Sequence, residues 1–180
     1  MEIELVVGTI HTKPWVRLCA MPPATVFFYV GTLFCSSAML ASSGVRLPFN
    51  MSSTERGQIW RPALLAFIED AGAVEGGGGV EYRKSVLKRW EASPHFRSMV
   101  MSLTWFWGIC FMLNGSLSTI LILKMDEDVA FGIGWSLPWM CGLLQTIVTI
   151  PFIKGRLRKE KTQWRLDEKI VPEDRFVESA

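Results

Sequence analysis

Two long stretches without a formally charged residue limit what this chain can fold into: Ser98 to Leu123 and Val129 to Ile153. A helix of about 20 apolar residues crosses the roughly 30 Å hydrocarbon core of a bilayer, and both stretches are longer than that. In lipid every backbone polar group needs an internal partner, which favours helices. The sequence therefore predicts membrane-spanning helices over 98–123 and 129–153, joined by an acidic hairpin over 124–128.

A third charge-free stretch lies near the N-terminus, from Met21 to Val45. It contains more Ser, Thr and Gly than the other two, so a cleaved signal peptide is the alternative. The apolar part begins late, at Ala24, and is longer than the roughly 7 to 15 residues of a signal-peptide core. We therefore expect an N-terminal flank over 1–21 and a retained transmembrane helix over 22–45.

The segment 46–97 is predicted to contain two short amphipathic helices separated by Gly76–Gly79. In the first, over 62–75, apolar residues recur at helical spacing and predict one buried stripe, formed by Leu64, Phe67, Ile68, Ala71 and Val74. Glu69 is expected on the opposite arc of the helix and Asp70 towards the edge of that arc. In the second, over 81–92, the stripe is Tyr82, Val86 and Trp90. The predicted fold class is an all-α integral membrane bundle of three transmembrane helices with two amphipathic interfacial helices.

Basic residues cluster before the second span and after the third, whereas the hairpin between these two spans has one lysine and three acidic residues. Under the positive-inside rule, 46–97 and the tail 154–180 face the cytosol, and 1–21 and the hairpin face the lumen or exterior. The sequon Asn50-Met51-Ser52 would then be cytosolic, so a glycan on Asn50 would contradict this orientation. The expected lipid head-group contacts are Arg83, Lys84, Lys88, Arg89, Lys154, Arg156, Arg158 and Lys159.

Polar and small residues within the spans predict how the helices associate. Pro138 frees the Gly134 carbonyl, and Asn114 lies at about the same depth in the antiparallel neighbour, so we expect the Asn114 amide to donate to that carbonyl. A substrate-binding role for Asn114 is the alternative. Close helix approach is expected at Gly108, Gly115, Gly134 and Gly142.

No residue cluster predicts a recognisable catalytic, cofactor or metal site. The two histidines, His11 and His95, lie in flanks on opposite sides of the membrane, and the four cysteines are scattered singly. The weak catalytic candidates are Glu69, Asp70 and Glu75, whose alternative interpretation is a solvated polar helix face. The net charge of only +2 gives no nucleic-acid footprint.

Several motifs together resemble a family of small, functionally uncharacterised fungal membrane proteins: RPALLAFIEDAGAVEGGGG, YRKSVLKRWEASPHFRSM, TWFWG, DVAFGIGWSLPWMCG and IVTIPFIKGRLRKEK. The resemblance covers roughly Trp60 to Trp164 and implies a helical membrane protein, some of whose relatives are found near specialised-metabolite genes. It supplies no catalytic residues. Its polar signature is Arg61, Pro62, Glu69, Asp70, Arg83, Glu91, Ser93, Pro94 and Arg97.

The leading functional hypothesis is an accessory or scaffold protein of the endoplasmic reticulum or another endomembrane. Its basic face would contact the lipid bilayer and partners such as membrane-bound pathway enzymes. The first alternative is an integral membrane enzyme that acts on a hydrophobic isoprenoid or polyketide intermediate. The second is a transporter, for which three spans require a homo-oligomer.

Overall fold

Three long apolar helices form the body of the computed structural model, which describes residues 3, 4, 6, 9, 15–48, 50 and 56–170, with side chains to residue 162. Within these residues there is no named strand, and α2, α5 and α6 are each long and apolar enough to cross a membrane. The predicted fold class is thereby confirmed. The helices are α1 (Val16–Ala20), α2 (Pro22–Ser42), α3 (Ala63–Val74), α4 (Gly79–Ala92), α5 (Pro94–Lys124) and α6 (Glu127–Ile170).

Helix α6 continues far beyond the apolar stretch that was predicted to be the last span. The sequence that follows Ile153 is rich in Lys, Arg and Glu, which are good helix formers, and it contains no Pro to stop the helix before Ile170. The turn before α6 is reduced to Met125 and Asp126. A single helix therefore continues from the apolar stretch into the charged region.

Helix α5 lies between α2 and α6, and small residues bring α2 close to it. A Cβ atom on Gly108 would lie 2.8 Å from Cys35 Sγ, and one on Gly115 would lie 3.2 Å from the Ala24 carbonyl oxygen. The ring of Phe111 packs between α2 residues, with its centroid 5.3 Å from that of Phe27. Close backbone approach and aromatic filling are how this helix pair associates.

The two short helices pack against one end of α5 instead of remaining separate. Leu65 of α3 and Val86 of α4 join Phe96, Met99 and other α5 residues in one buried cluster. The backbone N–H of Ala63 donates to Ser37 Oγ of α2 at 3.0 Å, which satisfies a free donor at the start of α3. The apolar faces of α3 and α4 are thus partly covered by protein.

Helix α1 packs at the opposite end of the bundle, beside the α5–α6 turn. The Arg17 guanidinium donates to the Met125 carbonyl at 3.3 Å, and Trp135 Nε1 donates to the Cys19 carbonyl at 3.2 Å. Ala20 is buried with Ile122 and Ala130. The bundle therefore has one end with α1 and the hairpin, and another with α3, α4 and the extension of α6.

Candidate functional site

The best-organised polar cluster surrounds Glu160, at the end of the bundle with α4. Glu160 is only 5% exposed, although it lies on the charged extension of α6. The Arg89 guanidinium of α4 donates to both carboxylate oxygens, at 2.5 and 3.3 Å, and Ser93 Oγ donates at 2.9 Å. Two-point charge-assisted bonds of this kind fix relative orientation as well as adding energy. They join α4 and the start of α5 to α6.

Each partner of Glu160 is held in place by a second contact. Ser93 is the N-cap of α5, and its Oγ accepts from the backbone N–H of Phe96 at 3.2 Å. The Arg89 guanidinium lies 4.7 Å from the centroid of the Phe96 ring, within cation–π range. The junction between α4 and α5 therefore supplies both the Ser93 hydroxyl and the Arg89 guanidinium that bind the Glu160 carboxylate.

These partners determine how Glu160 titrates. Burial raises the pKa of its carboxyl, but the hydrogen bonds from Arg89 and Ser93 and the charges of Arg89 and His95 lower it more. The net result is a pKa below the ordinary value, so the carboxylate stays ionised at neutral pH. Glu160 consequently acts as a fixed negative charge that holds Arg89.

Two clefts that border Glu160 each contain several basic residues. One, of about 460 Å³, is lined by His95, Met99, Arg156, Arg158, Lys159, Glu160 and Thr162. The other, of about 660 Å³, is lined by Lys88, Arg89, Ala92, Leu157, Glu160 and Lys161. We call the surface formed by Lys84, Lys88, Arg89, Lys154, Arg156, Arg158, Lys159 and Lys161 the basic face. Its positive charge makes this surface suitable for binding anionic groups.

The predicted head-group contacts fall into three groups in the structure. Arg83 forms an ion pair with Asp70 at 2.9 Å, and Arg89 pairs with Glu160. Arg156 is half-buried, with its guanidinium 5.4 Å from the centroid of the Phe152 ring. The remaining five are exposed: Lys84, Lys88, Lys154, Arg158 and Lys159.

The three catalytic candidates are not brought together in one site. Glu69 was predicted to lie away from the apolar stripe of α3, but it is only 3% exposed and shares the buried side of that helix with Leu65 and Ala73. Asp70 is exposed beside Arg83, and Glu75 is exposed beyond the end of α3. That prediction of the α3 face was wrong, because apolar residues occur nearly all around this helix.

The predicted hydrogen bond from Asn114 to Gly134 is also wrong. Asn114 is buried, its Oδ1 accepts from Ser118 Oγ at 3.4 Å, and among the described residues its Nδ2 has no partner. Pro138 is fully buried. A Cβ on Gly134 would meet the Ala20 carbonyl of α1 at 2.5 Å, so the close neighbour of this glycine is α1, with Ile122 of α5 alongside.

Gly142 and Asn50 are the remaining predicted positions. The space beside Gly142 is open, so the predicted close approach does not occur there within the described structure. Asn50 is exposed in the α2–α3 connection, where its Oδ1 accepts from the Arg56 backbone N–H at 2.8 Å. The described residues contain no group of three or more His, Cys, Asp or Glu that could hold a metal ion.

Sequence reasoning missed Glu160 and the role of Ser93. A usable signal was present, since Glu160 is the single acid in the basic run from Lys154 to Lys161. A lone acid among cations on a continuous helix is a candidate for an ion pair with another element. Ser93-Pro94 is likewise a typical helix start, with a capping hydroxyl before a proline.

A family model described as Domain of unknown function (DUF8766) matches residues 1–164 of the chain. The match also covers the first 59 residues, so the extent of the resemblance inferred from Trp60 onward was too short. No curated protein and no solved structure matches the chain.

Proposed function

The chain belongs to the DUF8766 family, whose domain has no known function, and from this premise we propose that it is an accessory or scaffold protein of a cellular membrane. In this proposal α2, α5 and α6 span the bilayer, and the basic face lies on the cytosolic side of the endoplasmic reticulum or a related endomembrane. There it attaches to anionic lipid head groups and recruits membrane-associated enzymes of a specialised-metabolite pathway. Three helices of sufficient length and hydropathy support the membrane part of the proposal.

The observation that carries the proposal is the concentration of exposed cations on helices held together by Glu160. Lys84 and Lys88 on α4 and Arg158 and Lys159 on α6 are all exposed. Each Lys or Arg near an anionic membrane surface contributes about 1 kcal/mol of attraction. Because Arg89 and Ser93 bind Glu160, the cations of α4 and those of α6 are held at the same end of the bundle rather than on two independent tails.

Exposed apolar side chains on α3 add a second kind of contact near this surface. Phe67 is 66% exposed and Val74 is 72% exposed, while the opposite side of the helix is buried. A short helix with exposed apolar residues beside a basic surface is typical of an element lying in the head-group region. The same residues are available to a membrane-bound partner.

The burial of Glu69, close to the proposed membrane boundary, favours the enzyme alternative. Buried carboxylates at such positions are candidates for proton transfer to a lipophilic substrate. In this alternative Glu69 would donate or accept the proton, and Asp70, already paired with Arg83, would help to position α3.

Complementation of a gene deletion tests the scaffold against the enzyme. The first variant replaces Lys84, Lys88, Arg158 and Lys159 with Gln, and the matched variant is Glu69→Gln. The scaffold proposal predicts that the first variant mislocalises pathway enzymes and that Glu69→Gln restores their localisation and product formation. Loss of product and accumulation of a precursor with Glu69→Gln alone, with enzyme localisation unchanged, would contradict the scaffold and favour the enzyme.

A further inference from the structure

A groove follows the seam between α5 and α6 from the charged end of the bundle into its apolar part. At the charged end is the cleft of about 460 Å³ that His95 and Arg156 help to line. Further along is a second cavity of about 190 Å³, lined by Ser102, Leu103, Phe106, Val148, Thr149 and Phe152. Both are formed by the same two helices.

The lining residues show that the two cavities follow one another along the same side of each helix. On α5 the sequence His95, Met99, Ser102 or Leu103, and Phe106 advances by three or four residues, which is one helical face. On antiparallel α6 the order runs back through Lys159, Arg156, Phe152 and Thr149 or Val148. Arg156 and Phe152 join the two parts, since the guanidinium lies 5.4 Å from the ring centroid.

The outer part of the groove is positively charged among the described residues. Arg156, Arg158 and Lys159 line it, and its only carboxylate, Glu160, already accepts from Arg89 and Ser93. No ion pair of these three cations occurs within the described part of the chain. An anionic group is the complementary occupant.

The inner part is apolar even where its lining residues carry hydroxyls. Ser102 Oγ donates to the Ser98 carbonyl at 2.8 Å, and Thr149 Oγ1 donates to the Gln145 carbonyl at 2.8 Å. Each hydroxyl proton is therefore directed to its own helix. The remaining lining is aromatic and aliphatic, so a hydrocarbon chain is the complementary occupant.

Because the outer part of the α5–α6 groove is basic and its inner part is apolar, we propose that the groove is a binding site for one anionic phospholipid. Its phosphate lies against Arg156 and Lys159, and one acyl chain lies along Leu103, Phe106 and Phe152. The surrounding bilayer is the source, because the groove opens sideways: Val148 is 57% and Phe152 38% exposed. Basic pockets between transmembrane helices are known sites for acidic head groups.

This inference uses the membrane location given under the proposed function but not the scaffold role. Its test therefore uses the purified full chain, without partner proteins, in vesicles of phosphatidylcholine containing a small fraction of phosphatidylserine. The phosphatidylserine carries a photoreactive group on one acyl chain, and the cross-linked peptides are mapped. Cross-links on α5 and α6 lining residues are expected, in excess of those from photoreactive phosphatidylcholine.

Two pairs of matched variants separate the groove from general surface effects. Arg156→Gln with Lys159→Gln removes two lining cations, and Lys154→Gln with Lys161→Gln removes two cations of α6 that do not line this cleft. Ser102→Phe fills the apolar cavity, and Ser136→Phe places the same bulk on an exposed serine elsewhere on α6.

The proposal predicts that the first charge variant lowers the phosphatidylserine preference about fivefold for each cation removed, and that its control lowers it much less. Ser102→Phe should abolish cross-linking at the lining residues, whereas Ser136→Phe should not. Equal losses in both members of either pair, or competition by inorganic phosphate alone, would overturn the proposal. The localisation experiment would be unaffected by such a failure.

Discussion

Glu160 is the residue whose environment most affects the basic end of the molecule. Its side chain is 7% exposed, whereas that of Arg89 is 45% exposed, so the two partners are unequally buried. Loss of Arg89 leaves a buried carboxylate that keeps the hydrogen bond from Ser93 and the charge of His95, but loss of the Glu160 charge leaves an arginine that reaches water. The cost of breaking the pair should therefore depend on which partner is removed.

A double-mutant cycle on this pair measures that asymmetry. We expect Arg89→Met to lower the free energy of unfolding by about 2 kcal/mol and Glu160→Gln to lower it by about 1 kcal/mol, after allowing for the exposure of Arg89. The double variant should cost clearly less than the two single losses added together. Unfolding in mixed detergent micelles gives all three values, and strict additivity would show that the pair is not coupled.

The pH dependence of stability gives an independent check on Glu160. Its pKa is lowered in the folded state, so its stabilisation is complete above the unfolded value of about 4.3 and is lost as the pH falls through the folded value. Unfolding curves recorded from pH 7 to pH 3 should show a loss of stability in the acid range that is smaller in Glu160→Gln. An identical acid slope in the two proteins would contradict this assignment.

Individual side-chain positions were the least predictable level. The spacing of Tyr82, Val86 and Trp90 places all three in or against the buried cluster, because they lie one turn apart on the same side of α4. On α3 apolar residues lie on most sides, so hydrophobicity could not distinguish the face that meets protein, with Leu65 and Glu69, from the exposed face with Phe67. Burial of Glu69 depends on tertiary packing, which a helical pattern does not contain.

At the scale of elements, the glycines show where helices approach most closely. Gly134 lies against the Ala20 backbone of α1, whereas Gly142, two turns further along α6, faces open space. Sequence alone treated these two positions alike, since both are glycines in the same apolar helix. The difference arises from α1, a five-residue helix that the sequence did not predict.

The different surroundings of Gly134 and Gly142 predict that replacement by Ala destabilises the protein at position 134 but not at position 142. A Cβ at Gly134 would lie 2.5 Å from the Ala20 carbonyl oxygen, so Gly134→Ala must displace α1 and should cost about 1 to 3 kcal/mol. Gly142→Ala is the matched control, because nothing lies within 4 Å of its Cβ. Thermal unfolding in detergent compares the two, and equal stabilities would contradict the close packing of α1 on α6.

The three long helices were predictable because charge-free length is a direct physical requirement for crossing lipid. The end of α6 was not, since the loss of hydrophobicity after Ile153 marks the end of the apolar stretch and not the end of the helix. Lys, Arg and Glu continue a helix as well in water as apolar residues do in lipid. The site around Glu160 depends on this continuation, and for that reason it could not be located from the hydropathy pattern.

At the scale of the whole molecule, the contacts divide the residues outside the three long apolar helices between two ends of the bundle. Arg17 meets the hairpin carbonyl of Met125 at one end, and Arg89 meets Glu160 at the other. A chain that crosses a membrane three times through α2, α5 and α6 would need this division, because its spans alternate in direction. The claim that the chain spans a membrane three times, with α4 and the α6 extension on one side, is therefore central to the account.

Labelling of single cysteines in sealed microsomes tests that claim most directly. Lys88→Cys, Lys161→Cys and Glu127→Cys are each introduced into a chain whose four native cysteines are replaced by alanine, and each is exposed to a membrane-impermeant maleimide. We predict that positions 88 and 161 are labelled from the cytosolic side, and that position 127 is labelled only after the membrane is opened. Equal labelling of all three in sealed microsomes would contradict the account.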